Sequence, residues 1–489
     1  MAVRKLLFMR KLLTQLLKAS GKNVDKFRAG DELASERFSE EIETRLAEVS
    51  DPLELGALLR EVSLPITARA TGVDADIDLQ ATSWAGVLNA CKKACMRTGS
   101  ELYILGEAGE WLNSEFLNKR GLPTVTDSGV IELAIVRDGM LLDRVSVNLW
   151  RKVAESWQCT STRAPVKKTS SLDGFINVDQ QLDAKIGPID AVYTWVDSSD
   201  DEWQSLFSCY ASAESMDPDR FSQSDELKFS IRSLFTYAPW VRKVFIVSNC
   251  APPAWFKASS RLVWIRHDDV IPEKYLPLFN SHAIETFLHE VPDLSEQYVY
   301  FNDDMFLAGM VSPTDFFTPY GMSVSRLERS GVVTHLRELI SSGGAEEWQH
   351  AAVNSANLLQ SETGIFPTRL HRHVPYALHR SVYAEMVSRY PAEVYATRTA
   401  RFRKNTDFSF TSFFYHHYAA WRRRAVLFDE ESIVVRPSNF RRFIAQSLHT
   451  KHRFFCINDG GGSSICADYR AFKETFLQQR YPFKSPAET

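Results

Sequence analysis

The chain lacks long apolar runs and has few cysteines. None of its stretches approaches the roughly 20 uninterrupted apolar residues that cross a bilayer, so the sequence predicts no membrane-spanning segment. Its seven cysteines are sparse and odd in number, which favours a reducing compartment over a disulfide framework. We therefore expect the protein in the cytoplasm.

An excess of charge of one sign is also absent. The 57 lysines and arginines against 61 aspartates and glutamates give a net charge of -4. Without a global basic field, tight nonspecific binding to nucleic acid is disfavoured. A hydrophobic share of 44% and an aromatic share of 12% exclude a disordered chain. The 489 residues allow two to four domains at roughly 100–200 residues per domain.

Residues 4–18, RKLLFMRKLLTQLLK, carry five cations and no acid, and their apolar side chains fall on one helical stripe. The pattern predicts a cationic amphipathic helix within a segment that spans residues 1–22. Its longest apolar run is too short for a secretory signal, so we expect the segment to be retained. Two interpretations stay open. The helix lies on the anionic inner face of the cell membrane as a peripheral contact, or it docks on its own protein or a partner.

Composition divides the rest of the chain. Residues 23–158 change from helical, acidic patterns to short strand-like runs, which predicts a small α+β domain of unknown role. Residues 159–187 open with the polar, aperiodic stretch CTSTRAPVKKTSSLDG, which is typical of a linker. We expect a catalytic domain over residues 188–483 and a short tail over residues 484–489.

All twelve histidines lie between His267 and His452, so chemistry is expected in the second half, although any single histidine in a large core can be purely structural. There, buried-strand runs such as IDAVYTWVD and QYVYFNDD alternate with amphipathic helices. This alternation predicts an α/β domain, Rossmann-like, with a mostly parallel sheet. Ligands of such sheets bind at the carboxyl ends of the strands.

Polar and acidic residues follow several of these strands. Asn302, Asp303 and Asp304 come directly after the run YVYF, and Asp197 ends the first strand. An Asn-Asp pair recurs at residues 458–459, after the apolar run FFCI. Oxygen ligands of this kind suit Mg²⁺ or Mn²⁺, which commonly bind through one or two carboxylates and the phosphates of a substrate. The alternative is a solvated turn after a strand.

Basic clusters accompany the histidines, in RHVPY (372–376) and RTARFRKNTD (398–407). The planar arginine fork matches phosphate oxygens, so these clusters predict an anionic substrate, although a solvated basic surface has the same composition. A histidine beside such a site can remove a proton from an acceptor hydroxyl. A zinc site is disfavoured because no HxxxH or CxxC spacing occurs.

In this order, IDAVYTWVD, RFSQSDELKFSIRSLFTYAPWVRKVFIVSN, LPLFNSHAIETFLHEVPDLSEQYVYFNDDMFL, HRHVPYALHRS and CINDGG resemble the characteristic regions of the Stealth family. The family includes bacterial capsular and exopolysaccharide phosphotransferases and the animal lysosomal-enzyme N-acetylglucosamine-1-phosphotransferase. The resemblance covers most of residues 188–306 and patches at 371–420 and 453–470, and none of the first 180 residues.

The resemblance implies transfer of a hexose 1-phosphate from a nucleotide sugar, expected to be UDP-linked, to a hydroxyl of an oligo- or polysaccharide acceptor. The nucleoside monophosphate leaves, and Mg²⁺ or Mn²⁺ is the implied cofactor. Two other interpretations remain. A metal-dependent glycosyltransferase would form a glycosidic bond and release UDP, whereas an inert polysaccharide-binding module would be expected to have lost some of the acidic, histidine and arginine positions.

The resemblance also implies roles for individual residues. The expected catalytic residues are His373, Arg403, Asp304 and Asp459. The expected metal ligands are Asp303, Asp304 and Asp459. The expected substrate-binding residues are Asp197, Asn249, Arg232, Asn302 and Asn458. Some relatives have a second histidine where this chain has Tyr376, which leaves His373 as the candidate general base.

Overall fold

The computed structural model describes residues 44–46, 48–61, 76–106, 109–114, 130–161, 166–172, 186–211, 219 and 224–488. The cationic helix expected at residues 4–18 lies outside these residues and stays a prediction. Among the helices of the described residues, none is both long enough and apolar enough to cross a membrane.

The N-terminal part is an α+β unit built on a seven-stranded sheet. Its strands are β1 (Asp76–Gln80), β2 (Glu101–Leu105), β3 (Trp111–Asn113), β4 (Val130–Arg137), β5 (Met140–Val153), β6 (Ser156–Cys159) and β7 (Lys168–Thr169). The strands pair antiparallel in the order β3-β2-β4-β5-β6-β7, and β1 pairs with β5 in parallel. Helices α1 (Pro52–Glu61) and α2 (Trp84–Arg97) accompany the sheet.

Helix α2 covers one face of this sheet through an apolar stripe. Its buried side chains recur at three- and four-residue spacing and include Trp84, Val87, Leu88, Cys91 and Cys95. Alternate residues of β4 and β5 meet them in the same core, as the two-residue period of a strand requires. The N-terminal unit therefore has a hydrophobic core of its own.

The stretch expected to be a linker continues this sheet. Cys159 ends β6, and Lys168 and Thr169 form β7, which pairs with β6. Trp150, Cys159 and Leu172 pack together in a small buried cluster. The polar composition concealed this extension, because a few apolar side chains suffice to anchor it.

A five-stranded sheet forms the centre of the larger part of the chain. Its strands are β8 (Ile189–Thr194), β9 (Val244–Ser248), β10 (Leu262–Arg266), β11 (Gln297–Asn302) and β14 (Tyr376–His379). They are ordered β10-β9-β8-β11-β14, with three parallel pairs and β14 antiparallel to β11. This confirms the predicted mostly parallel sheet. Strand β9 is buried along its whole length, as expected for a strand covered on both faces.

Short helices surround this sheet. They are α3 (Asp201–Ser208), α4 (Glu226–Tyr237), α5 (His267–Val270), α6 (Ser281–Glu285), α7 (Val332–Ser341), α8 (Glu347–Thr363), α9 (Arg380–Arg389), α10 (Pro391–Arg398), α11 (Tyr415–Trp421), α12 (Phe440–Ala445), α13 (Leu448–Lys451) and α14 (Ala467–Arg480). A π-helical turn at Phe410–Phe414 precedes α11. Helix α4 ends just before Ala238 and Pro239, because a proline disfavours helical backbone at the residue that precedes it.

Two small sheets complete the larger part. One contains β12 (Met305–Leu307), β17 (Phe454–Ile457) and β16 (Ile433–Val435), and the other contains β13 (Ser323–Arg326) and β15 (Ala425–Phe428). Strand β12 runs antiparallel to β17, with Met305 opposite Cys456. Strand β12, which follows β11 in the chain, therefore lies beside β17, a segment close to the C-terminus.

The residues expected to be a C-terminal tail are built into the protein. Ser485, Ala487 and Glu488 are buried. Both carboxylate oxygens of Glu488 accept hydrogen bonds from Arg232, at 2.9 and 2.6 Å. The expectation of a free tail does not hold, because a short polar sequence gives no sign of a partner in a distant helix.

The C-terminal segment also joins the two parts of the structure. The ring of Phe483 packs against Tyr103 and Trp111, with centroids 5.1 and 5.2 Å away. Arg480 donates a hydrogen bond to the carbonyl oxygen of Gly109 at 2.8 Å. These contacts tie the end of the chain to the N-terminal sheet.

Candidate active site

Asp304 stands at the carboxyl end of the central sheet. Strand β11 ends at Asn302, and Asp303 and Asp304 form the turn into β12. The backbone N–H of Ile457 donates to the carbonyl oxygen of Asp304 at 2.9 Å. The strand thus brings an acid to the sheet edge, and the neighbouring β17 segment fixes its backbone.

Strand β14 brings His373 to the same edge. Because β14 is antiparallel to β11, with Tyr376 opposite Tyr300, it enters the sheet where β11 leaves it. His373 lies on the incoming loop, and its Nδ1 is 3.3 Å from the hydroxyl of Tyr376. The topology therefore places His373 beside the turn that carries Asp304.

Two buried histidines support the loop that carries His373. The rings of His371 and His416 stack, with centroids 3.6 Å apart. The backbone N–H of Arg326 donates to Nε2 of His371 at 3.2 Å, and the hydroxyl of Ser325 lies 3.0 Å from Nδ1 of His416. Burial lowers the pKa of both rings well below the ordinary value, so both are neutral and structural.

Asp304 and His373 form the centre of the site. Nε2 of His373 lies 3.5 Å from Oδ1 of Asp304. The other carboxylate oxygen accepts hydrogen bonds from the Cys456 thiol at 3.0 Å and the Asn458 amide at 3.1 Å. Burial alone would raise the pKa of Asp304, but the charge of His373 and these hydrogen bonds bring it below the usual value. Asp304 is therefore an ionised carboxylate, and its side chain and that of His373 are 14% and 31% exposed, within reach of a small ligand.

Cys456 was not among the residues expected in the site. It lies two positions before Asn458, and the alternation of an extended chain directs both side chains to the same face. Its sulfur, an Asp304 oxygen and a ring nitrogen of His373 lie within 4.8 Å of one another. Burial and the charge of Asp304 raise the pKa of this thiol well above its ordinary value, so it is protonated and donates its hydrogen bond. The spacing in CIND was the one available signal.

Asp459 is tied to a lysine. Its carboxylate accepts a hydrogen bond from Nζ of Lys473 at 2.7 Å, and the same Nζ donates to Glu226 at 2.6 Å. Burial and the charge of Glu226 raise the pKa of Asp459 to about 6; Lys473 opposes this rise and Asp304 adds to it. If Asp459 acts in catalysis or binds a metal, its carboxylate must do so while it also accepts a hydrogen bond from Lys473.

Arg403 approaches the site from the loop after α10. Its Nη2 donates to the hydroxyl of Ser281 at 2.6 Å, and Ser281 begins α6. The last residue of α6 is the buried Glu285. Burial raises the pKa of Glu285 to about 7, although the charge of Arg403, hydrogen bonds from two hydroxyls and the charge of His373 oppose the rise. Glu285 thus lies in the fields of both Arg403 and His373.

Two tyrosines join Glu285 to His373. The hydroxyl of Tyr300 lies 3.3 Å from Oε1 of Glu285 and 2.7 Å from the hydroxyl of Thr194. The ring of Tyr300 lies beside that of Tyr376, which contacts His373. Nothing in the sequence singled out Glu285, because a lone glutamate at the end of a short helix has no distinguishing pattern.

Three further predicted residues occupy the same edge of the sheet. Asn302 ends β11, and Asp197 and Asn249 follow β8 and β9. The carboxylate of Asp197 accepts hydrogen bonds from the backbone and hydroxyl of Ser199, at 2.8 and 2.7 Å. A fourth predicted residue, Asn458, donates a hydrogen bond to Asp304, as described above. All four remain candidates for contact with a substrate.

Arg232 lies outside this group. Its Nε and Nη2 donate to Glu488, and its Nη1 donates to the carbonyl oxygen of Tyr481 at 2.8 Å. The side chain is buried in these contacts. The predicted substrate-binding arginine instead holds the C-terminal segment on α4.

The donor set partly fits the divalent cation that the sequence resemblance implies. Mg²⁺ and Mn²⁺ prefer oxygen ligands and often use one or two carboxylates. Oδ1 of Asp304 is buried and makes no well-formed hydrogen bond to the residues that the structure describes, and Asp303 adjoins Asp304 on the same turn. These two acids fit such an ion. Asp459 fits it less well, because the ammonium group of Lys473 already occupies its carboxylate.

Two regions of the chain match family models. Residues 220–325 match Stealth protein conserved region 2, and residues 372–420 match Stealth protein conserved region 3. The first contains the turn with Asp304, and the second contains His373 and Arg403. The matched regions therefore meet in space at the candidate active site.

Three curated relatives are similar over a large part of the chain. Capsular polysaccharide phosphotransferase SacB of Neisseria meningitidis serogroup A is 35% identical over 61% of this chain and 57% of the relative. An exopolysaccharide phosphotransferase of Streptomyces coelicolor is 38% identical over 62% of this chain and 52% of the relative. Exopolysaccharide phosphotransferase CpsY of Mycobacterium tuberculosis is 32% identical over 70% of this chain and 66% of the relative. The chain thus spans only part of the length of these relatives.

Among solved structures, a galactosyltransferase LgtC in complex with donor and acceptor sugar analogs matches with a TM-score of 0.31 and 9% identity. The match covers 60% of this chain and 96% of that one. Similarity at this level does not establish a shared fold. The two matched family regions and the three relatives, in contrast, agree with one another, and the chain belongs to the Stealth family.

Proposed function

We propose that this protein is a capsular or exopolysaccharide phosphotransferase. It transfers a hexose 1-phosphate from a nucleotide sugar, UDP-linked, to a hydroxyl of a glycan acceptor. The product is a phosphodiester, and the nucleoside monophosphate leaves. The proposal extends to this chain the activity that the names of the SacB and CpsY relatives state for those proteins.

The contact between Asp304 and His373 is the observation that carries the proposal. It combines an ionised carboxylate and an imidazole, 3.5 Å apart, at the carboxyl edge of a mostly parallel sheet. Ligands of such sheets bind at this edge. The two residues come from the two matched family regions, so the similarity and the geometry point to one place.

His373 acts as the general base in this proposal. The acceptor oxygen attacks the β-phosphorus, its proton passes to a ring nitrogen of His373, and the bond to the bridging oxygen breaks with its electrons going to the departing monophosphate. Both ring nitrogens have neighbours, at 3.5 Å in Asp304 and 3.3 Å in Tyr376. These separations exceed those of strong hydrogen bonds, so exchanging one for the acceptor hydroxyl costs little. Asp304 then stabilises the imidazolium that forms.

In this proposal Arg403, Asp303 and Asp304 stabilise the negative charge of the phosphates. The guanidinium of Arg403 offers a planar set of donors to non-bridging oxygens, where charge resides during phosphoryl transfer. Its contact with Ser281 orients it from α6. Asp304 with Asp303 would hold a divalent cation, which when bound neutralises diphosphate charge. In this proposal Asn302, Asn249 and Asp197, which end or follow strands at the same edge of the sheet, contact the donor beyond its phosphates.

The products distinguish this proposal from its alternatives. Purified protein is incubated with Mg²⁺ or Mn²⁺, a panel of nucleotide sugars and a glycan acceptor, and the products are followed by phosphorus NMR and nucleotide chromatography. We expect a phosphodiester signal and UMP in equal amounts. UDP with a glycosidic product would instead assign a glycosyltransferase. Sugar binding without any nucleotide release across the panel would assign an inert binding module.

A further inference from the structure

We propose that Asp304, His373 and Cys456 form a binding site for a thiophilic divalent cation of the Zn²⁺ class. We further propose that its occupation inhibits the enzyme, a consequence that rests on the proposed function. The site offers one carboxylate oxygen, one imidazole nitrogen and one sulfur from three separate segments of the chain. The absence of HxxxH and CxxC spacings in the sequence does not bear on such a site, because its ligands are brought together by the fold.

The distances suit a small tetrahedral ion. The Cys456 sulfur lies 3.0 Å from one oxygen of Asp304, and Nε2 of His373 lies 3.5 Å from the other. The three ligand atoms are within 4.8 Å of one another. Zn²⁺ bonds of about 2.0–2.3 Å place tetrahedral ligands roughly 3.3–3.5 Å apart, close to the two distances from Asp304.

The unpartnered atoms of the site face one another. Oδ1 of Asp304 and Nε2 of His373 are both buried, lie 3.5 Å apart, and have no well-formed hydrogen bond to any of the described residues. Buried polar atoms are rarely left unsatisfied, and those that are often mark a missing ion or water. A cation between these two atoms would satisfy both at once.

The frame that holds the ligands is rigid. Cys456 lies in β17, directly opposite Met305, the residue that follows Asp304. His373 is fixed from the other side by β14, through Tyr376. Asp304 and His373 lie in short connections beside β11 and β14, and Cys456 lies in β17. Because paired strands hold all three segments, little conformational entropy is lost when the ion binds.

The donor set favours thiophilic ions over Mg²⁺. Mg²⁺ prefers oxygen ligands, whereas a sulfur with an imidazole suits Zn²⁺ and Co²⁺. Binding displaces the Cys456 thiol proton to solvent, and the resulting thiolate bonds to the metal. Three protein ligands leave a fourth position for water or a substrate oxygen.

Occupation of this site removes the proposed base. A metal bond to Nε2 of His373 takes the lone pair that would accept the proton at this atom. It also ties up Asp304, which would stabilise the imidazolium. Micromolar Zn²⁺ should therefore inhibit turnover that Mg²⁺ supports, and added chelator should restore it.

The binding experiment uses Co²⁺, whose bond to a thiolate produces a charge-transfer absorption band. The full-length protein is titrated with Co²⁺, and then Zn²⁺ is added to displace it. We expect one Co²⁺ per chain and a thiolate band that Zn²⁺ abolishes. Cys456→Ser, which keeps a hydrogen-bond donor beside Asp304, should lose the band. Cys209→Ser, at an exposed thiol, should keep it.

The Co²⁺ titration tests whether the metal site exists, independently of enzyme turnover. No band in the wild-type protein, or an undiminished band in Cys456→Ser, would overturn the proposal. Circular dichroism and a thermal melt check that each variant is folded. If Cys456→Ser does not fold, Asp304→Asn and a Zn²⁺-competition titration of the wild-type protein against a metal indicator supply the same decision.

Inhibition is measured separately, as the Zn²⁺ concentration that halves UMP release in excess Mg²⁺. Cys456→Ser should raise this concentration by at least about 10–100-fold, the range found when even an outer ligand contact is lost. Equal sensitivity of variant and wild type would overturn the inhibitory role. A Co²⁺ band with no UMP release in Zn²⁺-free buffer would instead count against the proposed function and leave the metal site standing.

Discussion

Nε2 of His373 faces Oδ1 of Asp304 across 3.5 Å, and within the described part of the chain neither atom makes a well-formed hydrogen bond. The two residues belong to different matched family regions and meet because β14 runs antiparallel to β11. An acid and an imidazole held this way can exchange their mutual contact for a proton or a cation. The proposed transfer and the proposed metal site both depend on this pair.

The first prediction concerns the base. His373→Ala should lower the rate of UMP release by roughly 10²–10⁴-fold, because the acceptor hydroxyl loses its proton acceptor. The rate is measured under saturating donor with the phosphodiester assay. His335→Ala is the matched control, because His335 is exposed and pairs with Glu338 on its own helix. A turnover near that of the wild type in His373→Ala would exclude His373 as the base.

The second prediction concerns the guanidinium group of Arg403. Arg403→Lys keeps the positive charge but loses the planar donor set, and we expect turnover to fall by roughly 10²–10³-fold, as when one positioned donor to a transition state is removed. Lys404→Gln, at the next and exposed residue, should leave turnover unchanged. If both variants retain wild-type rates, Arg403 does not contact the transferred phosphate.

The third prediction is a pH dependence of stability. Because the pKa of Glu285 is about 7 in the folded protein against an ordinary value of 4.5, the folded state binds more protons than the unfolded state between these values. Its burial should therefore cost the wild-type protein increasing stability as pH rises from about 4.5 to about 7, up to about 3 kcal/mol. Glu285→Gln should lack this loss.

The measurement is the free energy of unfolding in urea for both proteins across this pH range. Glu285→Gln should gain stability relative to the wild type as pH rises. Glu474→Gln, at an exposed glutamate of α14, is the control substitution and should not reproduce this gain. A parallel pH profile for wild type and Glu285→Gln would show that Glu285 is not shifted.

The fourth prediction concerns the buried lysine. Lys473→Met leaves Glu226 and Asp459 close together without their shared cation, and should destabilise the protein by about 3–5 kcal/mol in denaturant unfolding. Arg441→Met, which breaks an exposed pair with Asp468, is the control and should have little effect. Adding Glu226→Gln and Asp459→Asn to Lys473→Met should recover much of the loss. A stable Lys473→Met protein would mean that one of the two acids is already protonated.

Local sequence patterns predicted much of the larger part of the fold. The buried-strand runs at residues 189–194 and 297–302 formed neighbouring parallel strands, and helices alternate with the strands as expected. The acid at residue 304 followed its strand to the sheet edge. These features depend on periodicity, propensity and chain breakers, which act between residues close in sequence.

Contacts between distant segments were not predictable in the same way. Arg232 was an expected substrate-binding residue but is bound to Glu488, and several of the residues expected to form a tail are buried. Asp459 was a predicted metal ligand, yet Lys473 occupies its carboxylate. The residue type alone does not predict which partner a side chain will contact in the folded protein.

The sequence by itself determined the strands, the acid at the end of β11 and the family regions that contain His373 and Arg403. Only the tertiary structure decided that Cys456 joins Asp304 and His373, and that Glu285 lies in the fields of Arg403 and His373. The physical reason is the separation along the chain over which each kind of interaction acts. Backbone periodicity acts over a few residues, whereas burial and charge act between groups that the pairing of β12 with β17 and of β14 with β11 brings together across long stretches of chain.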